Sequence, residues 1–142
     1  MEPILIAKLR AYIAYSHPDL LLQLLEENKL ATYLEEKVKE VMPVAERWLN
    51  EAKPLYIVEE LCLDAMTAEL KPSRYLYIRD ILMEEFEQDY ERLRKNGMLP
   101  YEISNMIEAC KDIFEEFDFN TENEDNRFLK YAVIGQVHDY LA

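Results

Sequence analysis

The chain has 142 residues, half of them hydrophobic, with 29 acids against 16 bases for a formal charge of −13, and only two glycines. That length and apolar content fit one core-bearing domain over residues 1–142, while two glycines are too few for collagen, for flexible low-complexity sequence or for the turns of most sheet-rich folds. The acidity disfavours direct nucleic-acid contact, which needs Lys and Arg to displace counterions, and disfavours anionic membrane surfaces for the same reason.

Pro3 suits the first turn of a helix, and Leu5, Leu9, Tyr12 and Ile13 recur on one face to about Tyr15. Ser16-His17-Pro18-Asp19 ends that helix and starts a second, with a polar cap candidate, an early proline, and an acid where the positive helix end favours one. Leu20, Leu21, Leu22, Leu24 and Leu25 make the second helix apolar nearly all round, to about Glu27-Asn28. A third runs from Leu30 through Tyr33, Leu34, Val38, Val41, Met42, Ala45 and Trp48 to Leu49. Pro43 lies inside it, and because the apolar phase continues past the proline the spacing predicts a kink rather than two helices.

Pro54 opens a fourth helix, faced by Val58, Leu61, Cys62, Ala65 and Met66, that stops at Lys71-Pro72. Ser73 is the cap candidate of a fifth, faced by Tyr75, Ile78, Ile81, Leu82, Phe86, Tyr90 and Leu93 and closed by Gly97 in a left-handed cap. Pro100 starts a sixth, and Ile103, Ile107, Cys110, Ile113 and Phe114 are expected to share one buried core. After a polar loop from Asp118 to Asn126, a last helix presents Leu129, Val133, Ile134, Val137, Tyr140 and Leu141. Gly135 within it costs about 1 kcal/mol against alanine and is read as a mark of close packing. No segment alternates as a strand does. The expected fold is all-α, a multihelical array or irregular bundle of six to seven helices.

No apolar run approaches the roughly 20 residues of a membrane span. The start MEPILIAKLRAY lacks the basic opening and small-residue cleavage site of a secretory signal. These features, with Cys62 and Cys110 inside apolar helical patterns as free thiols, point to the cytoplasm.

Candidate chemistry is sparse. Asp118, Asn120 and Glu122 alternate like the start of an EF-hand, but that loop needs glycine at its sixth position and a bidentate acid at its twelfth, where this chain has Asn123 and Leu129. A carboxylate-bridged di-iron bundle needs Glu-x-x-His pairs, and Ala14 and Gly135 precede His17 and His138 instead. Two cysteines and two histidines without paired spacing do not make a zinc site, and Gly97 and Gly135 cannot build a phosphate loop. His17 beside Pro18 reads as a turn or capping residue, and His138 as a last-turn group that favours the helix dipole when charged. A cysteine nucleophile would need a histidine that no spacing supplies. No metal and no cofactor are expected.

Residues 1–54 hold nine acids and seven bases, net −2, and residues 55–142 hold twenty acids and nine bases, net −11. The acid-rich stretch Glu84, Glu85, Glu87, Asp89 and Glu91 is therefore the candidate partner surface, suited to a basic protein, against the plainer reading of a solvated helix face. The ten tyrosines suit core edges and partner surfaces alike, since each buries a ring and leaves a hydroxyl wet.

Leu9-Arg10-Ala11-Tyr12-Ile13 followed by Ser16-His17-Pro18-Asp19-Leu20, and the later segment from Tyr75 to Phe86, resemble a small family of unknown function seen mainly in Bacteroidetes, often near conjugative-transposon genes. The resemblance implies a compact multihelical domain and a role in mobile-element biology, and it carries over no catalytic residues.

The function expected from these features is a cytoplasmic protein-interaction or accessory module, not an enzyme. The alternative is an acidic DNA mimic that occupies the groove of a nucleic-acid-binding protein, which needs carboxylates in ordered rows about 7 Å apart. A hydrolase built on carboxylates that no spacing singles out is a third class.

Overall fold

A computed structural model describes the whole chain, Met1–Ala142, and every regular element in it is helical. There are nine α-helices and one short 3-10 helix, rather than six to seven helices. The chain divides into two compact units, Met1–Leu70 and Lys71–Ala142, each with a buried apolar cluster of its own.

In the first unit α1 spans Glu2–Ser16, α2 Pro18–Glu26, α3 Leu30–Asn50 and α4 Leu55–Thr67, followed by a 3-10 turn over Ala68–Leu70. The four-residue spacing of Leu5, Leu9 and Ile13 puts all three on one stripe of α1, and all three are fully buried. They pack against Leu34, Val38, Val41 and Ala45 of α3 and against Val58, Cys62 and Met66 of α4. Pro43 sits on the exposed side of α3, which runs on as one helix across it, as the continuous apolar phase predicts.

In the second unit α5 spans Arg74–Glu85, α6 Glu87–Lys95, α7 Leu99–Ala109, α8 Lys111–Glu116 and α9 Arg127–Leu141. Each of two expected helices is broken in two, at Phe86 (φ −134°, ψ 49°) and at Cys110 (φ −94°, ψ 3°). Neither break is at a proline or a glycine. At Phe86 the charges favour a new start: Glu84 and Glu85 burden the negative end of α5, whereas Glu87 and Asp89 fall in the first turn of α6, where the helix dipole welcomes them. At Cys110 the fully buried side chain belongs to the core, and Asp112 falls in the first turn of α8.

The buried stripe of α7 is centred on Ile103 and Met106, both fully buried, and continues through Cys110 to Phe114. Ile107 and Ile113 only flank it, half-buried, which corrects the expectation that they lie inside the core. Gly135 is corrected too. It is exposed, and a Cβ added there meets nothing within 4 Å, so it marks open space and not close packing.

Four helices end in the same way. A residue with positive φ follows the cap, at Asn28 (56°), Ala52 (63°), Gly97 (75°) and Asp118 (51°). In each case its N–H and the next one turn back onto the last turn, as in Lys53 N to Trp48 O at 3.2 Å and Phe119 N to Phe114 O at 3.0 Å. This paired termination satisfies carbonyls the helix leaves open. Starts are capped by side chains in two helices: Ser73 Oγ accepts from Leu76 N at 3.1 Å, and Asn126 Oδ1 accepts from Phe128 N at 2.8 Å and Leu129 N at 3.1 Å.

Candidate functional site

The acid-rich stretch straddles the break at Phe86. Glu84 and Glu85 close α5, and Glu87, Asp89 and Glu91 lie in α6. Three of the five acids are paired: Glu84 with Lys130 at 3.1 Å, Asp89 with Arg92 at 3.0 Å and Glu91 with Arg94 at 2.7 Å. The hydrogen bond from Arg94 holds the Glu91 carboxyl below the usual carboxylate range. Glu85 and Glu87 are exposed. The hydrogen bond to Glu84 raises the Lys130 pKa, Glu85 adds to that negative field, and Glu87 sits in the first turn of α6. The five residues therefore form a ladder of mixed sign rather than a row of bare carboxylates.

The wider charge distribution also changes once the true boundary is known. Counted over the two units, Met1–Leu70 holds 13 acids and 7 bases, net −6, and Lys71–Ala142 holds 16 acids and 9 bases, net −7. The weighting of charge toward the C-terminal part follows from dividing the chain at Pro54, which lies inside the first unit.

The loop after α8 is organised by amides. Asn123 Nδ2 donates to the carbonyl oxygens of Phe117 at 2.7 Å and Asp118 at 3.1 Å, and its Oδ1 accepts from Asn120 N at 2.8 Å. Asn120 Oδ1 in turn accepts from Glu122 N at 2.7 Å. Asn123, at the position where a calcium loop needs glycine, instead fills the turn with its own side chain. Phe119, within this polar segment, packs inward. Its ring lies 4.9 Å from Phe114 and 5.0 Å from Tyr77. Tyr77 drew no attention in the sequence, yet its hydroxyl oxygen is buried without a hydrogen-bond partner, and burial pushes its pKa up to about 12.

A shallow cleft of about 500 Å³ in the second unit is lined by Arg92, Asn96, Met98, Glu102 and Tyr140, among others. Its polar groups are already engaged. Tyr140 Oη donates to Glu102 Oε2 at 2.6 Å, tying α9 to α7 and raising the tyrosine pKa, while Arg92 holds Asp89. A smaller cleft of about 220 Å³ in the first unit lies beside Lys37 and Glu69, which pair at 3.4 Å.

The thiols offer no nucleophile. Both are free and fully buried, and burial raises Cys62 above its ordinary value and Cys110 to about 11, so each stays protonated. His17 occupies the cap position of α2 but makes no capping bond from its side chain. Its ring Nδ1 lies 3.0 Å from Ser16 Oγ. Burial lowers its pKa, against opposing pulls from Asp19 and the Leu70 backbone. Ser16 is 1% exposed and donates to the Tyr12 carbonyl at 2.7 Å, so its hydroxyl is spent on bracing the corner between α1 and α2. His138 is exposed at the end of α9, 3.8 Å from Asp139. No group of three or more His, Cys, Asp or Glu side chains is placed to hold a metal ion, and no helix is long and apolar enough to cross a membrane.

Several large apolar side chains reach solvent, the most exposed of them aromatic. Tyr15 (63%), Tyr56 (65%), Tyr101 (56%), Phe128 (62%) and Tyr131 (63%) are all more than half exposed, with Leu25 and Leu55 just over half. The fold and these side chains define an all-α protein of two units with aromatic rings facing outward in both. Comparison with family models, with characterised proteins and with solved structures returns no match for the chain.

Proposed function

We propose that the protein is a cytoplasmic interaction or accessory module, not an enzyme, that serves mobile-element biology through binding to another protein. The observation that carries this reading is the set of exposed aromatic rings in both units, Tyr15 and Tyr56 in the first and Tyr101, Phe128 and Tyr131 in the second. Aromatic side chains bury large area at low entropic cost and are enriched in interface cores. The mobile-element setting comes from the resemblance of the segments around Ser16-His17-Pro18 and Tyr75–Phe86 alone.

The acidic DNA mimic has weaker support, because Glu84, Asp89 and Glu91 spend their charge on Lys130, Arg92 and Arg94. On that ladder only Glu85 and Glu87 are outside the three ion pairs, and Glu85 shares the field of Lys130.

The test is co-purification from the native cell with the full chain and with a Tyr56→Ser, Tyr101→Ser variant. Both positions are exposed, so stability should stay within about 0.5 kcal/mol. A protein recovered stoichiometrically with the parent chain and lost with the folded variant supports the reading. Equal recovery with both chains contradicts it.

A further inference from the structure

We infer that Asn96-Gly97, in the turn between α6 and α7, is a site of spontaneous deamidation in the folded protein, and that its isoaspartyl product undoes the end of α6. The inference does not rest on the interaction reading.

An asparagine side chain is attacked by the backbone nitrogen of the residue that follows it, and a side chain on that residue crowds the attack. Of the seven asparagines only Asn96 precedes glycine. The fold then decides whether that nitrogen can reach its target. Asn105 lies inside α7 and is followed by fully buried Met106, and the amide of Asn123 is tied down within its loop. Asn96 instead caps α6, and every residue from Arg94 to Met98 is exposed. The turn can therefore open without uncovering the core.

Opening is needed, because Asn96 rests at ψ 4° and must rotate before its Cγ meets the Gly97 nitrogen. Three hydrogen bonds resist the rotation: Gly97 N to Arg94 O at 3.3 Å, Met98 N to Leu93 O at 3.0 Å and Met98 N to Asn96 Oδ1 at 3.0 Å. The first is the longest of its kind in the chain, against 3.2 Å at Asn28, 3.0 Å at Ala52 and 3.1 Å at Asp118. Gly97, at φ +75°, has nothing within 4 Å of a Cβ position, so no neighbour blocks the movement.

In the reaction the Gly97 nitrogen gives its proton to solvent and bonds to Asn96 Cγ. The Cγ–Nδ2 bond breaks, and Nδ2 leaves as ammonia after taking up a proton. The cyclic imide then adds one water at either of its carbonyls, which yields aspartate or isoaspartate at position 96. The isoaspartyl backbone runs through Cβ and Cγ and is one carbon longer. That extra carbon lifts the Gly97 and Met98 N–H groups away from the Arg94 and Leu93 carbonyls, which the termination had satisfied. Either product also sets a carboxylate at the negative end of α6, in the cleft whose charged lining residues are Arg92 and Glu102.

The test is prolonged incubation of the folded chain at physiological temperature and neutral pH, followed by peptide mapping with mass spectrometry. The expected result is the mass gain of an amide turned into an acid, confined to the peptide that carries residue 96 and split into aspartyl and isoaspartyl forms. Gly97→Ala, folded by circular dichroism, should lose that gain. The isolated isoaspartyl form should unfold at a lower urea concentration than both the parent and Asn96→Asp, which has the charge without the longer backbone. A folded chain that stays intact at Asn96 while the urea-unfolded chain is modified there overturns the inference, as does a chain modified in neither state. Modification of Gly97→Ala as fast as the parent overturns the route, and an isoaspartyl form as stable as Asn96→Asp overturns the effect on α6.

Discussion

Ala52 ends α3 with φ +63°, a conformation that costs an ordinary L-residue about 1–2 kcal/mol because its Cβ crowds the following carbonyl. Glycine escapes that cost but gives the unfolded chain more freedom, worth about 0.5–1 kcal/mol. The difference predicts that Ala52→Gly stabilises the protein by about 0.5–1 kcal/mol. Ala52 is exposed, and its part in the termination is its backbone N–H to Leu49 O at 3.0 Å, so glycine loses no packing. Gly97, at φ +75° with the same termination after α6, is the reciprocal case. Gly97→Ala meets no neighbour within 4 Å and should destabilise by about the same amount from backbone strain alone. Urea unfolding followed by circular dichroism measures both, with midpoint shifts of about 0.2–0.5 M in opposite directions and slopes unchanged. A loss of stability in Ala52→Gly, or a neutral Gly97→Ala, would refute the account of how these helices end.

Phe114→Ala, at a fully buried ring against Tyr77 and Phe119, should cost about 3–5 kcal/mol in the same assay, and half-buried Ile107→Ala about 1–2 kcal/mol. Removing the cap of α9 with Asn126→Ala should cost about 1 kcal/mol by the same measurement, since two N–H groups lose their acceptor. Burial lowers the folded-state pKa of His17, so the unfolded chain binds its proton more readily. The stability this contributes is present above pH ~6.5 and lost as pH falls below it. Unfolding midpoints of His17→Asn between pH 7.5 and 5 should therefore fall less than those of the parent chain. A calorimetric titration with calcium should show no saturable micromolar site in the loop from Asp118 to Asn126, whose amides satisfy its turn from within.

Much of this architecture was legible from spacing. The stripes Leu5, Leu9, Ile13 and Leu129, Val133, Val137 mark the cores of the two units because an apolar residue every fourth position has one place to go. The breaks at Phe86 and Cys110 were not legible, because the apolar phase continues through both and neither residue is a helix breaker. The left-handed ends show a similar division. Gly97 announces one, whereas Ala52 and Asp118 reach the same geometry through backbone bonds open to any residue type. Phe119 was hidden inside a polar run, and only the fold of the loop turns its ring onto Phe114 and Tyr77. The candidate acids were easy to find and hard to interpret. Glu84 meets its partner Lys130 from 46 residues away, and sequence spacing says nothing about a pair so distant. Exposure of Tyr56, Tyr101, Phe128 and Tyr131 was equally closed to inspection, since tyrosine at the edge of an apolar stripe suits a core margin as well as an interface.

The claim that this protein works by binding another through outward aromatic rings is tested most directly by photo-crosslinking in the native cell. A photoreactive phenylalanine analogue would replace Tyr56 or Tyr101 in separate chains, with exposed Glu36 of α3 as the control position. The account predicts a discrete adduct at one or both aromatic positions and none at Glu36. The absence of adducts at both aromatic positions, or the same adduct at Glu36, would contradict it.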